Sequence, residues 1–243
     1  MAIFFYTDFG SADVYVGQMK AALNACAPDI AVIDLLHDAP SFNVKASAHL
    51  LAALAARMPG QSIVVAVVDP GVGSARHAVV LQADGRWYVG PDNGLLSVIA
   101  ARAHDAQVHS IRWRPPSLSA SFHGRDLFTP FAGMLAKGTL PPGAMEERRS
   151  GLEVELGAED VEEIIYVDHF GNAMTGLRAA NLARQRHVRV GEHELPYARV
   201  YSDVSPGRLF WYENSIELVE IAANAESAAA KLGLEVGQPV AVI

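Results

Sequence analysis

The chain has 243 residues, 51% hydrophobic and 19% charged, enough for one large domain or a large and a small one. Its 27 acidic and 19 basic side chains leave a formal charge of -8, which excludes a general nucleic-acid binder, whose footprint is a basic surface. The single cysteine, Cys26, excludes an intrachain disulfide and any multi-cysteine metal centre.

In chain order, Ile3 to Tyr6 is an apolar run with no basic stretch before it, so it is expected to be a strand and not a secretory signal. No apolar run approaches the roughly 20 residues that cross a bilayer, and a cytoplasmic protein is expected. Asp13 to Ala27 suits a helix closed by Pro28, with Cys26 as a buried apolar filler. Ile30 to Leu35 is a second apolar strand, and Val44 to Met58 an alanine-rich helix stopped by Pro59-Gly60. Ile63 to Val68 is the clearest strand. Ala78 to Gln82 and Trp87 to Val89 form a hairpin around Asp84-Gly85, followed by a helix over Leu95 to Arg102. Apolar strands alternating with helices predict an α/β layer with a sheet covered on both faces.

The composition changes after Gly138, where Thr139 to Gly143 is turn-rich and Glu146 to Arg149 is charged. Beyond it, Glu162 to Val167, His187 to Val190, Arg199 to Ser202 and Phe210 to Tyr212 read as short strands, and only Glu226 to Leu232 reads as a helix. The expected organisation is an N-terminal α/β domain over residues 1-143 and a smaller C-terminal β-barrel domain over residues 151-243.

Ligands of parallel sheets bind outside the carboxyl ends of the strands. Asp8 follows the first strand there, Asp34 and His37 the second, and Asp69 the third. Asp69 opens a loop running to Arg76, whose Gly71 and Gly73 permit close backbone approach to a ligand; Asp-Pro-Gly is equally a plain turn. Pro91-Asp92-Asn93-Gly94 reads as a turn or a helix entry. Ser121 to Asp126 gathers His123, Arg125 and Asp126 into either a reactive cluster or a salt-bridged loop. The chain lacks the phosphate-cradling Gly-x-x-x-x-Gly-Lys and Gly-x-Gly-x-x-Gly patterns, the Gly-x-Ser-x-Gly elbow and His-Glu-x-x-His. A metal site drawn from His37, His123 and nearby acids has no specific spacing, so neither metal nor cofactor is expected.

Taken in order, Thr7-Asp8-Phe9-Gly10 with Asp13, Tyr15, Gly17 and Lys20, then Val68 to Arg76, Gly90 to Leu95, Phe122 to Asp126, Asp168 to Asn172 and Asn214-Ser215 resemble one family. It is the S-adenosyl-L-methionine (SAM) hydrolases, or SAM hydroxide adenosyltransferases, which are related to the bacterial fluorinase and chlorinase. The resemblance implies hydrolysis of SAM to adenosine and L-methionine in a homotrimer whose sites lie between subunits, with no membrane or nucleic-acid partner. It implies Asp69, Arg76 and His123 as the catalytic set, which the halogenases replace with a halide pocket.

By the same resemblance, Asp8 holds the ribose hydroxyls, and Phe42 stands where the halogenases have a Trp near the ligand. Asp168 pairs with the methionine ammonium. Phe170 and Tyr201 sandwich the adenine, with Asn172 and the Asn224-Ala225 backbone bonding its edge. Ser215 binds the methionine carboxylate and Glu220 is a nearby ligand contact; the halogenases follow that Ser with Arg where this chain has Ile216. The leaving group of a sulfonium departs as a neutral thioether, so no acid is needed. The difficulty lies in water, with its pKa near 15.7. Arg76 and His123 are therefore expected to activate a water or hydroxide, and Asp69 to orient them. Two other readings are a SAM-dependent halogenase and a non-catalytic SAM or adenosine binder.

Overall fold

The apolar run after Met1 forms β1 (Ala2–Thr7) in a computed structural model that describes residues 1–243. The chain falls into two units, Met1–Ala48 with Met58–Ala158, and His49–Arg57 with Glu159–Ile243.

In the first unit, α1 (Val14–Cys26) follows β1. Asp13 caps it by accepting from the Val14 N–H. Then come β2 (Ala31–Leu36), the start of α2 (Val44–Ala56), β3 (Ile63–Val67), β4 (Ala78–Ala83), β5 (Arg86–Pro91), α3 (Ser97–Arg102), β6 (Ala106–Ile111), α4 (Thr129–Lys137) and β7 (Met145–Glu147). The seven strands form one sheet in the order β2-β1-β3-β5-β4-β6-β7. Its β2-β1-β3-β5 half is parallel and the remainder antiparallel. Asp84 and Gly85 both have positive φ at the β4–β5 turn, as a two-residue hairpin with right-handed twist requires.

All five residues of β3 are buried. On one face Ile3, Phe5, Val65 and Val67 pack with Met19 and Leu23 of α1 and Phe131 of α4, each large side chain contributing about 1.5–3 kcal/mol. On the other, the Tyr6 hydroxyl donates to the Ser47 carbonyl of α2 at 2.9 Å. The second apolar strand is no interior strand: β2 is the sheet edge, and Ile33 is 43% exposed. An all-apolar run looks the same whether neighbours cover it or only one side does. The strand β6 and the helix α4 were not foreseen by periodicity.

The second unit is largely β structure. Strands β8 (Val161–Val167), β9 (Ala173–Arg178), β10 (Val188–Val190), β11 (His193–Leu195), β12 (Leu209–Glu213), β13 (Leu218–Ala223) and β14 (Ala241–Val242) are joined by one short helix, α5 (Ala228–Leu232). They make a four-stranded sheet, β12-β13-β9-β8, and a three-stranded one, β11-β10-β14. Ile164, Val188, Trp211, Val219 and Ile221 form the core between them. Single bridges join Glu163 to Pro239 and Tyr197 to Trp211. The strand expected over Arg199 to Ser202 is instead extended only at Val200, and then turns as a 3-10 helix over Tyr201–Asp203. No helix is long and apolar enough to cross a membrane.

Candidate active site

The chain leaves β1 for β2 on one side and later places β3 on the other. Crossovers that diverge this way open a crevice beyond the carboxyl ends of the two central strands. Asp8 follows β1 and Asp69 lies two residues past β3, so the topology itself brings both carboxylates to one crevice. A cavity of about 430 Å³ opens there, lined among others by Asp8, Phe42, Asp69 and His123.

Asp69 closes its turn with its backbone carbonyl, which accepts from Val72 N at 3.1 Å, and its side chain is free for another task. Both carboxylate oxygens accept from Arg76: Nε reaches Oδ1 at 2.9 Å and Nη2 bonds Oδ2. The side chains are 4% and 9% exposed respectively. Arg76 Nη2 also lies 3.0 Å from His123 Nδ1, and the guanidinium rests over the Phe128 ring. One of the two loop glycines also makes room within the chain. At Gly73 a Cβ would stand 2.5 Å from the Ala120 carbonyl oxygen, so its bareness lets the Asp69 loop and the His123 loop pass each other.

His123 precedes a π-helical turn, Gly124–Phe128, that runs into α4; such turns are frequent at functional sites. The two halves of this cluster part company. Arg125 pairs with Asp126 at 2.6 Å, donates to Gln18 and lies over Phe122, a salt-bridged loop. His123 turns to Arg76 instead. Burial, then the Arg76 guanidinium, holds the imidazole below its ordinary value, with Asp69 opposing. A guanidinium has only donors. His123 Nδ1 is therefore the acceptor, and the neutral ring carries its proton on Nε2.

Burial pushes the Asp8 carboxyl up and Asp69 adds to that, against the Phe42 backbone N–H, which donates to Asp8 at 3.5 Å. Phe42 is 82% exposed with φ at 60°, a strained conformation for a bulky residue. Phe9, Tyr15 and Phe122 stack edge to face in a wall of the same cavity. Their residues stand in the motifs above, yet nothing in the spacing marked them as lining. His37 stays outside it, bonded to Thr7 and Asp34. His77, Asp92 and Glu153 bring possible ligand atoms within 4.8 Å, and Arg148 pairs with both carboxylates there.

The second unit has its own cavity of about 530 Å³, lined by Phe170, Asn172, Tyr201, Ala223, Ala225 and two neighbours. Asp168 builds the turn beneath it: Oδ1 accepts from the Phe170 and Asn172 N–H groups and Oδ2 from Asn172 Nδ2, all at 2.8–2.9 Å. At Gly171 (φ 81°) a Cβ would lie 1.9 Å from Ser227 Oγ, so no other residue fits this turn. Phe170 is thereby presented 75% exposed.

Four expected residues do not line this cavity: Asp168 lies beneath it, and three more stand elsewhere. Glu220 is buried, accepting from Tyr212 OH at 2.5 Å and Asn214 Nδ2 at 2.7 Å. Burial raises its pKa against those two bonds. Tyr212 in turn meets Tyr201 OH at 3.1 Å, so Glu220 supports the Tyr201 side chain from below. Ser215 is exposed in the turn after β12. Asn224 uses its amide on Val204 O, leaving Ala225, at φ 59°, on the cavity wall. Tyr212 was unmarked by the sequence; its alternation with Trp211 in β12 is the one signal of its face.

The SAM hydroxide adenosyltransferase N-terminal domain model matches residues 3–145, and the C-terminal domain model residues 162–241. A protein of Thermus thermophilus named (R)-S-adenosyl-L-methionine hydrolase is 38% identical over 99% of both chains. One of Salinispora arenicola with the same name is 37% identical over 99% of this chain and 97% of its own. A crystal structure of an uncharacterized conserved protein from Thermotoga maritima superposes with a TM-score of 0.89 at 31% identity, covering 99% of each chain.

Proposed function

The chain belongs to the SAM hydroxide adenosyltransferase family, and from that premise we propose that it hydrolyses S-adenosyl-L-methionine at the ribose C5', giving adenosine and L-methionine. The observation that carries the reading is the buried Asp69–Arg76–His123 chain at the crevice beyond β1 and β3.

In this mechanism water or hydroxide attacks C5' in line with the C–S bond, whose electrons leave with sulfur as neutral thioether; where water attacks, its proton passes to solvent. Arg76 and the His123 Nε2–H both donate to the attacking oxygen, aiming it and favouring its hydroxide form before the bond to C5' is made. His123 does not act as a base, because its Nδ1 accepts from Arg76 and its Nε2 already carries hydrogen. Asp69 has spent both oxygens on the guanidinium and serves as orienter. Holding the water in line is worth up to ~7–11 kcal/mol. Asp8 holds the ribose hydroxyls beneath the Phe42 ring. The second unit supplies Phe170 and Tyr201 for adenine, Asn172 and the Asn224-Ala225 backbone for its edge, Asp168 for the methionine ammonium and Ser215 for its carboxylate. Glu220 acts through Tyr212 and Tyr201.

We read the working form as a cytoplasmic homotrimer with sites between neighbouring subunits, and the second unit as a small barrel. The bridges joining its two sheets support the barrel. The names of the relatives point to the (R) sulfonium epimer as substrate. Chromatography of each epimer with purified protein tests the reaction: adenosine and methionine should appear, faster from the (R) form, and oxygen-18 from water should enter the 5'-hydroxyl. 5'-Chloro-5'-deoxyadenosine in chloride buffer would mark a halogenase instead, and no turnover a mere binder. Mixing Arg76→Ala with Asn172→Ala protein should restore activity if sites lie between subunits, and leave both inactive if each chain holds a whole site.

A further inference from the structure

The Pro91-Asp92-Asn93-Gly94 turn touches neither cavity, but it grips both ends of the Asp69–Arg76 loop. That loop carries Gly71 and Gly73 and belongs to no strand or helix; its internal bonds, from Val72 N to Asp69 O and from Arg76 to the Asp69 carboxylate, do not tie it to the sheet. The pairing of β3 with β5 stops at Val65 and Val89, which leaves the Val68 carbonyl, just before Asp69, without a ladder partner. Asn93 Nδ2 donates to it at 2.9 Å. At the other end the Asp92 N–H donates to the His77 carbonyl at 3.0 Å, one step beyond the Ala78–Pro91 pair of the hairpin. That same carbonyl accepts from Arg76 Nη1 at 3.2 Å.

The turn is itself pinned. The Asp92 side chain is wholly buried; Oδ2 accepts from Arg148 Nη1 at 2.5 Å and Oδ1 from the Glu153 N–H at 3.0 Å. Asn93 Oδ1 accepts from Leu95 N at 3.2 Å and fixes its own amide. A buried ion pair of this kind is weak evidence for stability but well suited to holding one geometry.

We propose that Asp92 and Asn93 are positioning residues for catalysis, clamping the peptide groups that flank Asp69 and Arg76 so that the guanidinium meets His123. The inference rests on the hydrolase reading only for its kinetic consequence. A displacement of about 1 Å in such a site costs on the order of 100-fold in rate.

Asn93→Asp tests it, since it keeps the acceptor for Leu95 and removes the donor to Val68; Asn93→Ala serves as a second variant if the first fails to fold. Against the parent, kcat for SAM should fall about 10–100-fold with KM within about threefold. The nitrogen-15 resonance of His123 Nδ1, which reports the Arg76 contact, should move in the same variant. Turnover within twofold of the parent, or a lost kcat with His123 Nδ1 unmoved, overturns the clamp. If Arg76→Ala hydrolyses SAM as fast as the parent while Asn93→Asp still shifts His123 Nδ1, the hydrolase mechanism fails and the clamp stands.

Discussion

The two cavities are of similar size and opposite economy of charge. In the first unit a carboxylate, a guanidinium and an imidazole are bonded to one another across two loops far apart in sequence, and His123 lines the cavity. In the second, the carboxylate of Asp168 braces its own turn, accepting three N–H groups within five residues, and the rings of Phe170 and Tyr201 face the cavity beside Asn172 and Glu226. The first geometry suits charge that develops during a reaction. The second suits a flat, neutral ring that must only be held. Mutations in the two cavities should therefore separate into effects on rate and effects on affinity.

The largest expected effect tests that separation directly. Arg76→Ala should lower kcat by about a thousandfold, the loss typical of one donor to a developing anion, with KM little changed in steady-state assays of adenosine release. It also strands the buried Asp69 carboxylate, so unfolding should show a loss of about 3–5 kcal/mol. Full turnover by Asp69→Asn together with an Arg76→Ala defect confined to binding would break the scheme. On the other side, Phe170→Ala should raise KM about 10–100-fold at nearly constant kcat, since stacking is worth ~1–3 kcal/mol per base. A fall in kcat at constant KM would dissolve the division of labour.

A smaller effect concerns pH. The His123 imidazole is held below 6.5 by burial and Arg76, and its neutral form is the one that accepts from Arg76. Protonation breaks that bond, so rate should be level above neutrality and decline only as pH falls well below 6.5. The unfolded chain takes up the proton at the higher pH, so stability from this residue is likewise present above 6.5 and lost on acidification. In Arg76→Ala the titration of His123, followed by proton NMR, should move upward. The smallest change is at Phe42, where φ is 60°. Phe42→Gly should raise stability by about 1 kcal/mol in denaturant melts by releasing backbone strain, and raise KM if the ring covers the ribose. Gain of stability with unchanged KM would leave Phe42 outside the site.

Much of the first unit was legible. The helix before Pro28, Asp84-Gly85 as a hairpin turn and β3 as a buried strand follow from local rules that need no partner. The exposed β2 edge, the turn at Tyr201 and the helix α4 were not, because edge and interior strands share a pattern, and Tyr201 is fixed by Phe210 and Tyr212 packing against it. Within the site, Asp69 and His123 were visible as strand-end and loop residues, but the burial of Glu220 was not: a carboxylate in a strand looks alike whether it faces a ligand or lies under two tyrosines.

The sequence alone determined the elements from β1 to α3, the acidic character and, through the order of its motifs, the family. Only the tertiary structure decided which polar groups work together. Arg76 turns to His123, 47 residues away, while Arg125, two residues from that histidine, turns to its neighbour Asp126. Gly73 yields to the Ala120 backbone, and Asn93 reaches back 25 residues to Val68. Local propensity acts within a few residues, whereas hydrogen bonds and ion pairs act across whatever the fold brings within 3 Å. The strand order that sets β1 beside β3 is what places Asp8 and Asp69 at one crevice.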